Sequence, residues 1–171
     1  YVARNPKDVA ISFYHHFRHM NSFQGSQRDF VNAFLNDQML YAPHNDHVLE
    51  FWKIRHQPNV LFLFYEDMKR NLSSVVSRAM LFLEKNYSPE QIERLCEHLS
   101  FDAMRTNKMV NKEGFIKDVK EAIGEKYSPD DFCFMRKGQV GSYKEELSAE
   151  ENEKFDAYCC YSEFVKYGFE H

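Results

Sequence analysis

The sequence predicts an α/β fold: a parallel sheet flanked by helices, with the N-terminal part of the sheet missing from this sequence. Three observations carry the prediction. Gly and Pro are scarce, at 6 and 5 of 171 residues, which favours helices over a turn-rich all-β chain. "NVLFLFYED" (59–67) holds an unbroken apolar run of six residues, Val60 to Tyr65, whose length and aromatic content suit a strand buried on both faces. A strand, turn and helix follow one another at the very start of the chain. With 43% hydrophobic and 16% aromatic residues there is ample material for a core, and 171 residues suit a single domain, 1–171.

The elements follow in order. "YVAR" (1–4) is short, apolar and β-branched at Val2, and it reads as the tail of a buried strand. Pro6 opens a helix from about 6 to 21, since proline is tolerated in a first turn. Phe30, Val31, Phe34 and Leu35 recur at helical spacing in 26–37, and Val48, Leu49, Phe51, Trp52 and Ile54 do so in 45–57. After the strand in 59–67 come an amphipathic helix at 72–86 and a second at 88–99. The latter opens on Ser88, Pro89 and Gln91, an N-cap, an N1 proline and a capping box. "SFDAMRTN" (100–107) predicts one short helix. From about 106 to 131 the chain is Lys-rich and polar around Gly114 and Gly124, which predicts a long mobile loop able to act as a lid. A last helix is predicted at 148–169, with a capping box from Ser148 and Glu151.

The function classes narrow next. A net charge of -4 argues against general nucleic-acid binding, which needs a basic face. No apolar run reaches the length of a membrane span. Cys96, Cys133, Cys159 and Cys160 have neither disulfide-framework nor zinc spacing, so a reducing, cytoplasmic setting is expected. His15 and His19 lie one helical turn apart but lack an evident third ligand, so no metal site is expected.

Against this acidic background, "FMRKGQVGSYK" (134–144) concentrates Arg136, Lys137 and Gly138. A planar fork, a mobile point charge and a backbone without a side chain suit an anion, above all a phosphate. A solvated turn paired to nearby glutamates would explain the same residues. A second anion site is suggested where Arg4, Asn5 and Pro6 join a strand end to a helix start, with Ser12 on that helix. Pairing of Arg4 with Asp8 at (i, i+4) is the alternative there. Arg4 and Tyr65 end the two readable strands, where α/β sheets bind ligands.

"RNPKDVAIS" (4–12), "FYEDM" (64–68), "HLSFDAM" (98–104) and "FMRKGQVG" (134–141) occur in this order, and together they resemble the cytosolic sulfotransferase family. "PNVLFLFYED" and "SPEQIERLCEHLSF" resemble insect members, including the retinol dehydratase type. The resemblance implies a P-loop-NTPase-like sheet and the donor 3′-phosphoadenosine 5′-phosphosulfate, with 3′-phosphoadenosine 5′-phosphate as product. It implies that Arg4 and Ser12 hold the 3′-phosphate and that Arg136, Lys137 and Gly138 complete the clamp. Tyr65 would hydrogen-bond the adenine, Phe101 would stack on it, Met104 and Met135 would line the same pocket, Phe134 would flank the clamp, and Ser100 belongs to the donor-binding stretch. The phosphosulfate-binding lysine and the histidine base are expected upstream of Tyr1, so no catalytic residue is assigned here.

The pattern also departs from the family. Leu99 stands where threonine is usual, and G-D-W-K is here "GSYK" (141–144). The dimerisation motif K-x-x-x-T-V-x-x-x-E is kept only at Lys144, Ser148 (loosely) and Glu153, with Ala149 for valine, leaving a homodimer as a candidate assembly. The implied activity is sulfuryl transfer to a hydroxyl or amine of a small molecule, the aromatic content suggesting a phenol, steroid or isoprenoid alcohol. The alternative is a non-catalytic nucleotide-binding or scaffold remnant of the fold. A P-loop kinase would need a Walker G-x-x-x-x-G-K-[ST], which the sequence lacks.

Overall fold

The computed structural model describes residues 1–128 and 133–158. The order of elements is β1 (Val2–Ala3), α1 (Pro6–Met20), α2 (Gln27–Leu35), α3 (His44–Lys53), β2 (Leu63–Phe64), α4 (Tyr65–Arg70), α5 (Leu72–Phe82), α6 (Pro89–His98), α7 (Phe101–Thr106), α8 (Glu113–Ala122), a 3₁₀ turn (Ser142–Glu145) and α9 (Ala149–Tyr158). Contacts group the described residues into two compact units.

The first unit holds Tyr1–Tyr14, Gly25–Tyr65 and the described residues from Gly141 onward. Its sheet is the parallel pair β1–β2, in register Val2↔Leu63 and Ala3↔Phe64. The ladder is prolonged at its start, where the Tyr1 amino group donates to the Leu61 carbonyl at 2.8 Å and Leu63 N–H donates to the Tyr1 carbonyl at 2.9 Å. One apolar cluster gathers Ala3, Val48, Leu49, Trp52 and Phe62 under α3 and the strands. A second gathers Ala10, Ile11, Val31, Phe34, Leu147 and Phe155 from α1, α2 and α9. Both draw on the helical apolar spacing seen in the sequence.

The second unit holds His15–Gln24 and the described residues from Glu66 to Val140. Here α5 packs on α6 and α6 on α7. The capping box of α6 is formed: Gln91 N–H donates to Ser88 Oγ at 3.3 Å, and Ser88 N–H donates to Gln91 Oε1 at 2.8 Å.

Two expectations are corrected. The strand expected over 59–67 is reduced to Leu63–Phe64, and Tyr65 starts α4. Among the described residues the strand has a single partner, itself two residues long, and Glu66–Asp67 supply acidic groups suited to a helix start. The loop expected over 106–131 contains α8, with Ile116 only 1% exposed. Phe115, Ile116, Val119 and Ile123 carry a helical stripe that the surrounding lysines and glutamates obscured. Gly124, with φ +76°, stops the chain just past the helix, as a C′ glycine does. The last helix is present as Ala149–Tyr158, and the rest of the predicted span lies outside the described residues.

Phe155 is fully buried in the second cluster, so Phe155→Ala should cost about 3–5 kcal/mol in urea denaturation. His44 packs against Phe34 with ring centroids 5.5 Å apart, and burial lowers its pKa from 6.5 to about 4, with His47 adding to the effect. The ring is therefore neutral in the fold while the unfolded chain takes up a proton as pH falls through about 6.5. Stability should fall between about pH 6.5 and pH 4, His44 contributing on the order of 3 kcal/mol. His44→Leu should lose that share of the slope.

Candidate functional site

In the first unit the register of β1 and β2 carries the chain to Arg4 and Tyr65 side by side at the carboxyl ends of the strands. The Arg4 guanidinium carbon lies 4.3 Å from the centroid of the Tyr65 ring, a cation–π contact. Asn5 caps α1: its Oδ1 accepts from Lys7 N–H at 3.0 Å. The (i, i+4) pair weighed from the sequence is also present, with Arg4 Nη2 3.7 Å from Asp8 Oδ2. Ser12 is exposed one helical turn beyond Asp8, on the same face of α1.

Sequence reasoning missed what Lys7 and Asp8 do. Both are buried, at 8% and 1% exposure, although they are consecutive charges. Asp8 Oδ2 accepts from Gly141 N–H at 2.7 Å, and Oδ1 accepts from Tyr143 N–H at 3.1 Å and Ser142 Oγ–H at 3.2 Å. Lys7 Nζ pairs with Asp156 at 2.6 Å and sits 5.3 Å from the Tyr143 ring centroid. The signal available in the sequence was two adjacent charges inside the first turn of a helix whose next residues, Val9–Ile11, belong to the core.

In the second unit Phe101 and the Arg–Lys–Gly segment meet. Gly138 has φ +60°, and a Cβ on it would lie 2.2 Å from Phe101 Cδ2 and 2.3 Å from Cε2. The glycine is thus required by an aromatic ring as well as by backbone geometry. Lys69 Nζ lies 5.5 Å from the Phe101 ring centroid, a cation that the motifs did not single out. Ser100 caps α7, its Oγ accepting from Ala103 N–H at 3.2 Å, while its own O–H can still donate. Met104 is on α7, one turn beyond Phe101. Phe134 meets His16 edge-on at 6.3 Å, and burial lowers the His16 pKa. Met135, Arg136 and Lys137 are half-buried in the irregular segment leading to Gly138.

The rings of His15 and His19 stack 6.3 Å apart. Burial first, then the charges of His15, Lys120 and Arg18, lower the His19 pKa to about 4. Such cationic surroundings disfavour a metal ion. Among the described residues no three His, Cys, Asp or Glu side chains gather to hold one. Nor is any helix among them long and apolar enough to cross a membrane.

A strand-end arginine on a tyrosine, with a helix start behind it, suits an anion such as a phosphate; separately, in the second unit, an aromatic ring is backed by a glycine. Comparison with known proteins agrees. Residues 1–166 match the model of the sulfotransferase domain, and the chain belongs to the sulfotransferase family. It is 38% identical over 156 residues to luciferin sulfotransferase of Photinus pyralis, covering 91% of this chain and 41% of that protein. It is 39% identical over 160 residues to human sulfotransferase 1E1, covering 91% of this chain and 51% of that protein. The chain thus spans about half the length of the curated relatives it matches. Among solved structures, retinol dehydratase in complex with retinol and 3′-phosphoadenosine 5′-phosphate (PAP) aligns with TM-score 0.81 at 38% identity, over 92% of this chain and 45% of that one. A mouse sulfotransferase complexed with PAP aligns with TM-score 0.75 at 26% identity, over 99% of this chain and 57% of that one. The P-loop-like α/β assignment and the insect-type resemblance therefore hold.

Gly138→Ala forces a methyl group into the Phe101 ring and strains a left-handed residue. It should cost about 1–3 kcal/mol in thermal or urea unfolding. Unchanged stability would mean that the ring swings away at no cost.

Proposed function

We propose that this chain carries the nucleotide-binding residues of a sulfotransferase. The enzyme moves a sulfuryl group from 3′-phosphoadenosine 5′-phosphosulfate to a hydroxyl or amine of a small molecule. The observation that carries the reading is Arg4 held over Tyr65 at the carboxyl ends of adjacent parallel strands, within a chain that matches the sulfotransferase domain. Ligands of α/β sheets bind at such strand ends. PAP-bound relatives of the same fold support the donor assignment.

The residues on hand fit a nucleotide bearing a 3′-phosphate. Arg4 offers a guanidinium fork whose side chain is 20% exposed, and Ser12 offers an exposed hydroxyl on α1, the helix that follows it. Arg136 and Lys137 add cations beside Gly138. Tyr65 supplies the hydroxyl for adenine, and Phe101, backed by Gly138, supplies the stacking face. Met104 and Met135 line the base, Phe134 flanks the clamp, and Ser100 belongs to the donor-binding stretch. In the transfer, the bond from sulfur to the 5′-phosphate oxygen breaks as one to the acceptor oxygen or nitrogen forms. The acceptor's proton passes to a base that we do not assign to this chain. The residues named here bind and orient the donor and stabilise charge on the leaving phosphate.

For the acceptor we propose a phenol, steroid or isoprenoid alcohol. Relatives support this class: one acts on luciferin by name, and retinol dehydratase has been crystallised with retinol and with androsterone. A cytoplasmic setting and a homodimer remain part of the proposal, the latter through Lys144, Ser148 and Glu153.

The test is transfer of labelled sulfate from 3′-phosphoadenosine 5′-phosphosulfate to a phenol or steroid panel by the purified protein, expressed at its full natural length, in excess chelator; residues 1–171 alone are expected to be inactive. Activity should persist in chelator, because no step needs a metal. Transfer that stops on chelation would refute the reading. Arg136→Ala removes a charge-assisted contact of about 1.5–3 kcal/mol, so PAP binding measured by calorimetry should weaken by more than about tenfold.

A further inference from the structure

Asp8 is the one carboxylate among the described residues that is both fully buried and surrounded by backbone donors from a distant segment. A carboxylate at 1% exposure persists only if its oxygens are satisfied. Here the donors are the consecutive residues Gly141, Ser142 and Tyr143, at 2.7, 3.2 and 3.1 Å. Gly141 is left-handed at φ +77°, and the turn it opens brings the Gly141 and Tyr143 N–H groups and the Ser142 hydroxyl to one carboxylate, a donor-lined nest of the kind that cradles anions. Asp8 fills that nest from within the chain. Arg4 Nη2 lies 3.7 Å from the same carboxylate, so the charge of Asp8 acts on the guanidinium.

From this geometry we infer that Asp8 is a positioning residue for recognition of the 3′-phosphate. Its carboxylate fixes the 141–143 turn and, from the same point, orients the Arg4 guanidinium toward the ligand. The inference rests on the donor reading above. It also gives a physical meaning to "GSYK" in place of G-D-W-K: Ser142 supplies Asp8 with a hydroxyl donor where the family's aspartate would bring a second carboxylate.

Two effects of Asp8 on an incoming phosphate have opposite signs, which makes the inference testable. As a mere negative charge beside Arg4, it would compete with the phosphate, and its neutralisation would tighten binding. As a positioning group, its loss loosens binding. Asp8→Asn keeps the shape but turns an amide N–H₂ against donors of the 141–143 turn, so the nest can no longer close on it.

The experiment is calorimetric titration of the purified protein with PAP and, separately, with adenosine 5′-phosphate, for the unsubstituted protein and for Asp8→Asn. The expected result is about a tenfold rise in Kd for PAP, with adenosine 5′-phosphate changed less than about twofold, because only the 3′-phosphate contact is lost. Unchanged or tighter PAP binding overturns the inference, and so does an equal loss for both nucleotides, which marks a general structural lesion. Should Asp8→Asn not fold, Ser142→Ala decides: it removes one donor and buries no new charge. A two- to threefold loss confined to PAP supports the inference, and no change overturns it. If the unsubstituted protein itself fails to bind PAP, the donor reading fails and this inference with it. Binding by the unsubstituted protein with no response in the variants removes this inference alone.

Discussion

The demand that a buried carboxylate be satisfied organises the first unit. Asp8 lies in the opening turn of α1, where its helix would ordinarily show a charge to solvent. It is instead enclosed, and Gly141, Ser142 and Tyr143 must turn their donors inward to meet it. Lys7, its neighbour, reaches Asp156 on α9. Two consecutive charges therefore tie the start of α1 to the segment more than 130 residues later in the chain. Between them the apolar residues Ala10, Ile11, Leu147 and Phe155 close the core. Burial of charge is costly unless paired, so loss of either partner here leaves an unsatisfied group inside the fold.

The same economy of position appears at Gly138. The sequence suggested that the glycine admits an anion to the backbone, and the structure adds a steric reason. Phe101 occupies the place of the missing side chain. A single residue thus serves the ring proposed for adenine and the segment proposed for phosphate. At the strand ends, Tyr65 holds Arg4 by its π face, while the hydroxyl of the same ring lies at its far edge.

Much of this was legible in the sequence because local chemistry and local structure agreed. The capping boxes at Ser88 and Ser148 formed as their residue types require. Amphipathic spacing located α2, α3 and α5, and the Arg–Asn–Pro junction located the strand end and helix start. What escaped depended on partners remote in sequence. The 59–67 run was too apolar for a strand paired over only two residues, and Tyr65 turned into a helix. The α8 stripe was hidden by lysines and glutamates, although Ile116 alone is buried there. The only local hint that Asp8 is internal is its place just before the core residues Ala10 and Ile11; the donors at 141–143 show it. Ser100 caps α7 by accepting from Ala103 N–H, a role its place before Phe101 allows, and its O–H can still donate.

The account stands on recognition of a 3′-phosphate by Arg4. The most direct measurement is a crystal structure of the protein with PAP bound. It should show the 3′-phosphate within about 3 Å of the Arg4 guanidinium, with the adenine ring against Phe101 and its edge toward the Tyr65 hydroxyl. A 3′-phosphate lying away from Arg4, with that guanidinium still stacked on Tyr65 and turned to Asp8 alone, would contradict it.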